Sequence, residues 1–179
     1  LTSRFTHYIV FTHYSSLRSS QSHRMTKGQT HLNTSSAAII QYMDGTHSKI
    51  QNGVRCVVDV RDVAEAHITP ITQDIGWGKR YLLFGGAPHF KETASFVKKA
   101  LMENGSDVAQ DLIKNVPTEV DEKLQPTVMG PSADKPLLFD ASPTENELGI
   151  KFKSVQEMVT TCVNELLANG FTGSSQYDT

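Results

Sequence analysis

Asn33, Ser35 and Ser36 set three polar side chains at the start of an apolar run, Ala37, Ala38, Ile39, Ile40 and Met43. A helix beginning there leaves backbone N–H groups without intrahelical partners, and such groups can receive an anion or a carbonyl oxygen. The same residue types also serve as ordinary helix caps, so both roles stand open. Asp62 and His67 are spaced to share one short helix, where a cap and a packing histidine account for them better than catalysis does. His89 follows Gly85-Gly86-Ala87-Pro88 and reads as part of a surface turn rather than a ligand contact. The histidines show no His-Glu-x-x-His or related spacing, so a metal is not expected. Cys56 and Cys162 lie far apart in apolar runs, which suits small buried hydrophobes and fits neither zinc nor thioredoxin spacing.

These residues need elements to hold them. Asn33-Thr34-Ser35-Ser36 offers N-caps for a helix that Gly45 stops. Val54 to Val60 is expected as a strand, with Asp62 capping a short helix through Val63, Ala64, Ala66 and His67 before Pro70 interferes. Arg80 to Phe84 reads as another strand, ended by Gly85-Gly86. Phe90, Ala94, Val97 and Leu101 fall at i, i+4, i+7 and i+11, one stripe of a helix that Gly105 ends. A weaker helix covers Val108 to Lys114, and Thr118 to Pro136 reads as a loop rich in proline and charge. Leu137-Leu138-Phe139-Asp140 is expected as a short buried strand. Two capping boxes follow, Ser142-Pro143-Thr144-Glu145 and Ser154-Val155-Gln156-Glu157. The second opens a helix with Val155, Met158, Val159, Cys162, Leu166 and Leu167 inward and Gly170 as its stop. Strands alternating with helices indicate an α/β protein.

Composition sets bounds on the partners. At 179 residues and 38% apolar content, the chain suits one domain with a modest core. A net charge of -2 and a pI near 6.4 argue against a nucleic-acid binder. No stretch approaches the roughly 20 apolar residues that cross a bilayer, so no membrane partner is expected and a cytoplasmic location is the default. The segment 1–27 is different in kind. It is rich in Ser, Thr and His, and the first acidic residue anywhere is Asp44. Phe5 to Phe11 has the composition of a short strand, but the segment as a whole is expected to be disordered and to add little to folding. Its bias fits an incomplete reading of the coding sequence better than an organellar leader. Residues 172–179 read as a flexible tail.

Within residues 28–171 the sequence resembles a known family. Val58-Asp59-Val60-Arg61-Asp62-Val63-Ala64-Glu65-Ala66-His67 is similar to a segment of the extended short-chain dehydrogenases/reductases, in the NAD-dependent epimerase/dehydratase superfamily. The likeness is to the dihydroflavonol reductase, cinnamoyl-CoA reductase and methylglyoxal-reductase-like group. Arg80-Tyr81-Leu82-Leu83-Phe84 resembles the strand that follows there. Glu147-Leu148-Gly149-Ile150-Lys151-Phe152-Lys153 and the helix ending Asn169-Gly170-Phe171 resemble the family's close. Four segments in the right order make the resemblance specific.

The resemblance implies a C-terminal substrate lobe and the last strands of a Rossmann-like doubly wound sheet, with the N-terminal half absent. It implies NADP or NAD as cofactor and a small-molecule carbonyl substrate (a ketone, an aldehyde or a CoA-thioester) in the complete enzyme. It also implies a Tyr-x-x-x-Lys pair for proton transfer and a Gly-rich turn for the pyrophosphate. Neither is present. Gly76, Gly78, Gly85 and Gly86 make no such pattern, and Tyr14-Ser15-Ser16-Leu17-Arg18 puts arginine where lysine belongs. No catalytic residue is therefore assigned. What carries over is the α-helix start: Asn33 toward substrate, and Ser35 and Ser36 toward the cofactor. A non-catalytic binding module and a sugar-nucleotide epimerase or dehydratase fragment remain the alternatives, because fold does not fix reaction.

Overall fold

The helical stripe Phe90, Ala94, Val97, Leu101 is buried along its length and lies on α3, Phe90–Asn104. In this computed structural model the described residues are 9–11, 34–75, 79–124 and 139–173, with side chains described from residue 36 onward. Gly105 ends α3 in the left-handed region at φ 69°, where its N–H reaches the Leu101 carbonyl. The long partner of α3 is α6, Val155–Ala168, whose Met158, Val159, Cys162, Val163 and Leu166 are buried. Alongside run α1, Thr34–Met43, and α4, Asp107–Ile113. Ile39, Ile40, Met43, Leu112 and Val116 complete this larger core.

A second, smaller cluster sits apart from it: Val58, Ala66, Tyr81, Leu83, Leu148 and Ile150. It joins α2, Val60–Gln73, to β3, Arg80–Leu82, and α5, Ser142–Leu148. β3 pairs in parallel with β1, Ile9–Phe11, in the register Ile9 to Arg80 and Phe11 to Leu82. The N-terminal segment thus contributes a strand within the stretch whose composition suggested one. A second parallel pair joins β2, Ile50–Gln51, to β4, Val120–Asp121. The result is an α/β fold with small parallel sheets.

Several local expectations need correction. Val54 to Val60 forms no continuous strand; it makes isolated antiparallel bridges, Val54 to His89 and Val57 to Gly86. The run ends at Asp59, which is still extended and caps α2, its side chain accepting from the Arg61 N–H at 2.8 Å. Asp59 is therefore the cap, and Asp62 lies inside the helix. Pro70 does not end α2, which continues to Gln73. Proline removes one donor but supplies a helical φ, and the Pro70 carbonyl accepts from the N–H groups of Asp74 and Ile75 in a left-handed close.

Ser142 opens no capping box. α5 begins with Ser142 inside it, behind Ala141, which makes no side-chain cap, and Glu145 is instead taken by the Phe152 N–H at 3.0 Å. The stretch read as one loop from Thr118 contains β4. Leu137 and Leu138 lie outside the described residues, as does Tyr14 to Arg18. The expected cap of α6 is present: Ser154 Oγ accepts from the Glu157 N–H at 3.2 Å.

Candidate functional site

The charged side chains gather where α2 begins. Asp59 is fully buried and accepts from Arg61 three times, from the backbone N–H, from Nε at 2.9 Å and from the guanidinium terminus at 2.7 Å. Burial alone would raise its carboxyl, but the Arg61 hydrogen bonds outweigh burial and hold it below the usual carboxylate range. One turn on, Asp62 is also buried. Its Oδ2 accepts from the Lys153 backbone N–H at 2.8 Å, and its Oδ1 accepts from the same residue's Nζ. The bond to Asp62 raises the Lys153 ammonium above its ordinary range, against the opposing effect of burial.

Lys153 directly precedes Ser154, the cap of α6, so the ion pair fixes where α6 starts relative to α2. Farther along α6, Cys162 shares a side-chain hydrogen bond with Ser36 on α1. A continuous set of contacts therefore runs from the first turn of α2, through Lys153 and α6, to the start of α1. Ser36 is 1% exposed and faces this interior. Asn33 and the side chain of Ser35 lie outside what the structure describes.

Gly85 and Gly86 complete the junction from the other side. A Cβ on Gly86 would stand 2.6 Å from Val155 Cγ2, and one on Gly85 would stand 3.0 Å from Met158 Cε. Both Gly85 and Gly86 donate backbone N–H groups to the Val57 carbonyl, at 2.9 and 3.1 Å. These glycines let the chain pass close under the start of α6. They form no phosphate cradle, because side chains of α6 fill the space above them.

The arrangement clamps helices; its groups are not poised for proton transfer. The Cys162 thiol is pushed up to about 12 by burial, and burial also raises Cys56, so neither is a ready nucleophile. Burial likewise raises the Tyr42 phenol to about 12 despite nearby Arg55, the opposite of what a proton-donating tyrosine requires. Tyr81 donates its hydroxyl to Glu147 Oε1 at 2.9 Å, which also accepts from Lys79 Nζ at 2.6 Å. The described residues thus do not fit a pyrophosphate-binding turn or a low-pKa tyrosine with its lysine. They also hold no group of His, Cys, Asp and Glu suited to a metal, and no described helix is long and apolar enough to cross a membrane.

His67 turns its Nδ1 to the Val63 carbonyl at 2.7 Å on an exposed helix face. His89 is no bare turn residue; its ring caps α3. Lys153 escaped a reading of types and spacing, since its partner is 91 residues away in sequence. Only its place in the closing motif marked it.

No protein-family model and no curated protein matches the sequence. Solved structures do match the fold. Yeast methylglyoxal/isovaleraldehyde reductase Gre2, complexed with NADPH, aligns over 80% of this chain and 39% of its own, at 22% identity and a TM-score of 0.56. Gre2 from Candida albicans, also with NADPH, gives the same coverage and identity at a TM-score of 0.58. The Bordetella bronchiseptica enzyme WbmH, with NAD+, aligns over 75% of this chain and 40% of its own, at 24% identity and a TM-score of 0.52. The chain shares its fold with these nucleotide-bound proteins and spans about two fifths of their length.

Proposed function

We propose that the chain is the C-terminal, substrate-side portion of an NAD(P)-dependent oxidoreductase that reduces a carbonyl group in an aldehyde, ketone or CoA-thioester. The observation that carries this reading is the fold shared with two NADPH-bound Gre2 reductases over 80% of the chain. The Val58–His67 segment supports it independently, because its likeness to reductases is one of sequence.

In the complete enzyme the nicotinamide supplies the hydride. This chain's share is a wall of the substrate site. In this reading Asn33 serves the substrate and Ser35 the cofactor, as polar residues at the entry to a helix. Ser36 belongs to the same cofactor-side junction and holds it from behind through Cys162. The clamp of Asp62 on Lys153 bears on that wall, since Lys153 leads into α6, which carries Cys162.

The chain alone is expected to be inactive, for it lacks the glycine turn and the Tyr-x-x-x-Lys pair. Purified protein mixed with NADPH, followed by Trp77 fluorescence and then by nicotinamide absorbance with aldehydes, should give no turnover. Saturable binding with turnover that Tyr14→Phe abolishes would overturn the inactivity. Sequencing the transcript upstream of Leu1 tests the assignment itself. An in-frame glycine turn and Tyr-x-x-x-Lys pair would support it, and a start codon preceded by neither would favour a non-catalytic binding module.

A further inference from the structure

The His89 ring holds the start of α3, and it can do so in only one protonation state. The Lys91 backbone N–H donates to His89 Nδ1 at 3.0 Å, while the His89 N–H donates to Glu92 Oε2 at 2.9 Å, closing a capping box. A backbone N–H only donates, so Nδ1 must present its lone pair. The ring proton then sits on Nε2, 3.1 Å from Asn52 Oδ1, and is donated to it. The neutral ring is a strut between α3 and the end of β2.

We infer that protonation of His89 opens the start of α3, making this junction an acid-sensitive latch. A second proton on Nδ1 would set N–H against N–H and delete the cap. It would also place positive charge at the positive end of the helix dipole. The surrounding charges are mixed. Glu92 and Lys91 lie on α3 itself, and Arg55 sits 5.3 Å from the Phe90 ring. On the β4 side, Asp121 lies across from Gln51, and the Lys123 N–H donates to the Asp121 carboxylate. Glu92 is already engaged by the His89 backbone, and Asn52 is neutral and still served by Nε2–H, so neither restores the lost acceptor.

The consequence reaches past one bond. Val54 bridges to His89, Phe90 donates to the Gly53 carbonyl at 3.0 Å, and Arg55 donates to the Pro88 carbonyl at 3.2 Å. Residues 52–55 are thus laced to the start of α3, and loosening the cap loosens that lacing. A second ring proton removes the acceptor of the Lys91 N–H, so protection of this junction falls as the ring gains it.

The test uses the full chain labelled with 15N-histidine, between about pH 8 and pH 5, where imidazole side chains change charge. The ring nitrogens of His89 should report the Nε2–H tautomer at the upper end. Amide-exchange protection at Lys91, Glu92 and Thr93, corrected for intrinsic rates, should fall about fivefold on acidification, the factor that one lost cap represents. His89→Asn, which caps without titrating, should hold its protection level over the same range. An Nδ1–H tautomer, or wild-type protection that does not change with pH, would overturn the inference, and both readings survive if the variant fails to fold. Parallel pH dependence in the two proteins would overturn it as well.

Discussion

The two hydrophobic clusters differ in how much each buries. The larger one gathers 19 buried residues, most of them on α1, α3, α4 and α6, whose outward faces carry Met102 and Val108. The smaller one, between α2, β3 and α5, buries six residues, while α2 turns Ile68 and Ile71 outward at 58% and 67% exposure. Parallel sheets are ordinarily covered on both faces, and a two-stranded pair is marginal alone. The first region is the larger core. The second is small and rests on a short two-stranded pair, β1 with β3.

The largest expected effect lies in the larger core. Leu166→Ala should cost about 3 kcal/mol, from lost burial and the cavity left between α3 and α6. Leu148→Ala, equally buried but in the smaller cluster, should mainly loosen β3 and α5. Hydrogen exchange separates the two: if Leu148→Ala speeds exchange in α3 and α6 as much as in α5, the clusters form one cooperative unit and the contrast fails.

The next effect falls on the ion pair that ties the regions together. Asp62→Asn should cost about 2 kcal/mol in denaturant titration, because Lys153 stays three-quarters covered without its counter-charge. Replacing both partners with methionine should cost much less, and an equal loss in the two variants would show that packing rather than charge is at stake. The pH dependence has a definite sign here. Asp59 is held low by Arg61, so its contribution is present above the unfolded carboxylate value, about 4, and is lost as pH falls through its lower folded value. Lys153 is raised, so its contribution is lost only as pH rises through its folded value. An acid limb of the stability curve that is unchanged in Asp59→Asn would contradict the first of these.

A smaller effect is expected at the cap of α6. Ser154→Ala should cost about 1 kcal/mol, and an unchanged midpoint would mean that Lys153 alone fixes the start of that helix. The smallest belongs to the open face of α2. Ile68→Lys with Ile71→Lys should change stability by less than about 0.5 kcal/mol while raising solubility. A loss well beyond that, read in the same titration, would show that this face is already covered.

Local rules made much of this molecule legible. The stripe of α3 and its Gly105 stop, the Ser154 cap and the inward face of α6 follow from periodicity and from the backbone groups left over at helix ends. So does the burial of both cysteines. Those rules are about neighbours three or four residues apart, and they failed where a distant partner changed the outcome. Glu145 fits a capping box by spacing, yet the Phe152 N–H claims it. Asp62 fits a cap, yet Asp59 takes that place and Asp62 turns inward to Lys153. Gly85 and Gly86 read as a strand end, whereas their small size is required by α6 passing overhead.

The candidate site divides the same way. Its residue types at the α1 start were visible in the sequence, because polar residues before an apolar run mark a helix start in any context. That Ser36 faces Cys162, and that this contact is chained to Asp62 through Lys153, was settled only in three dimensions. A buried charge needs a counter-charge wherever the fold can bring one, and sequence distance says nothing about where that will be.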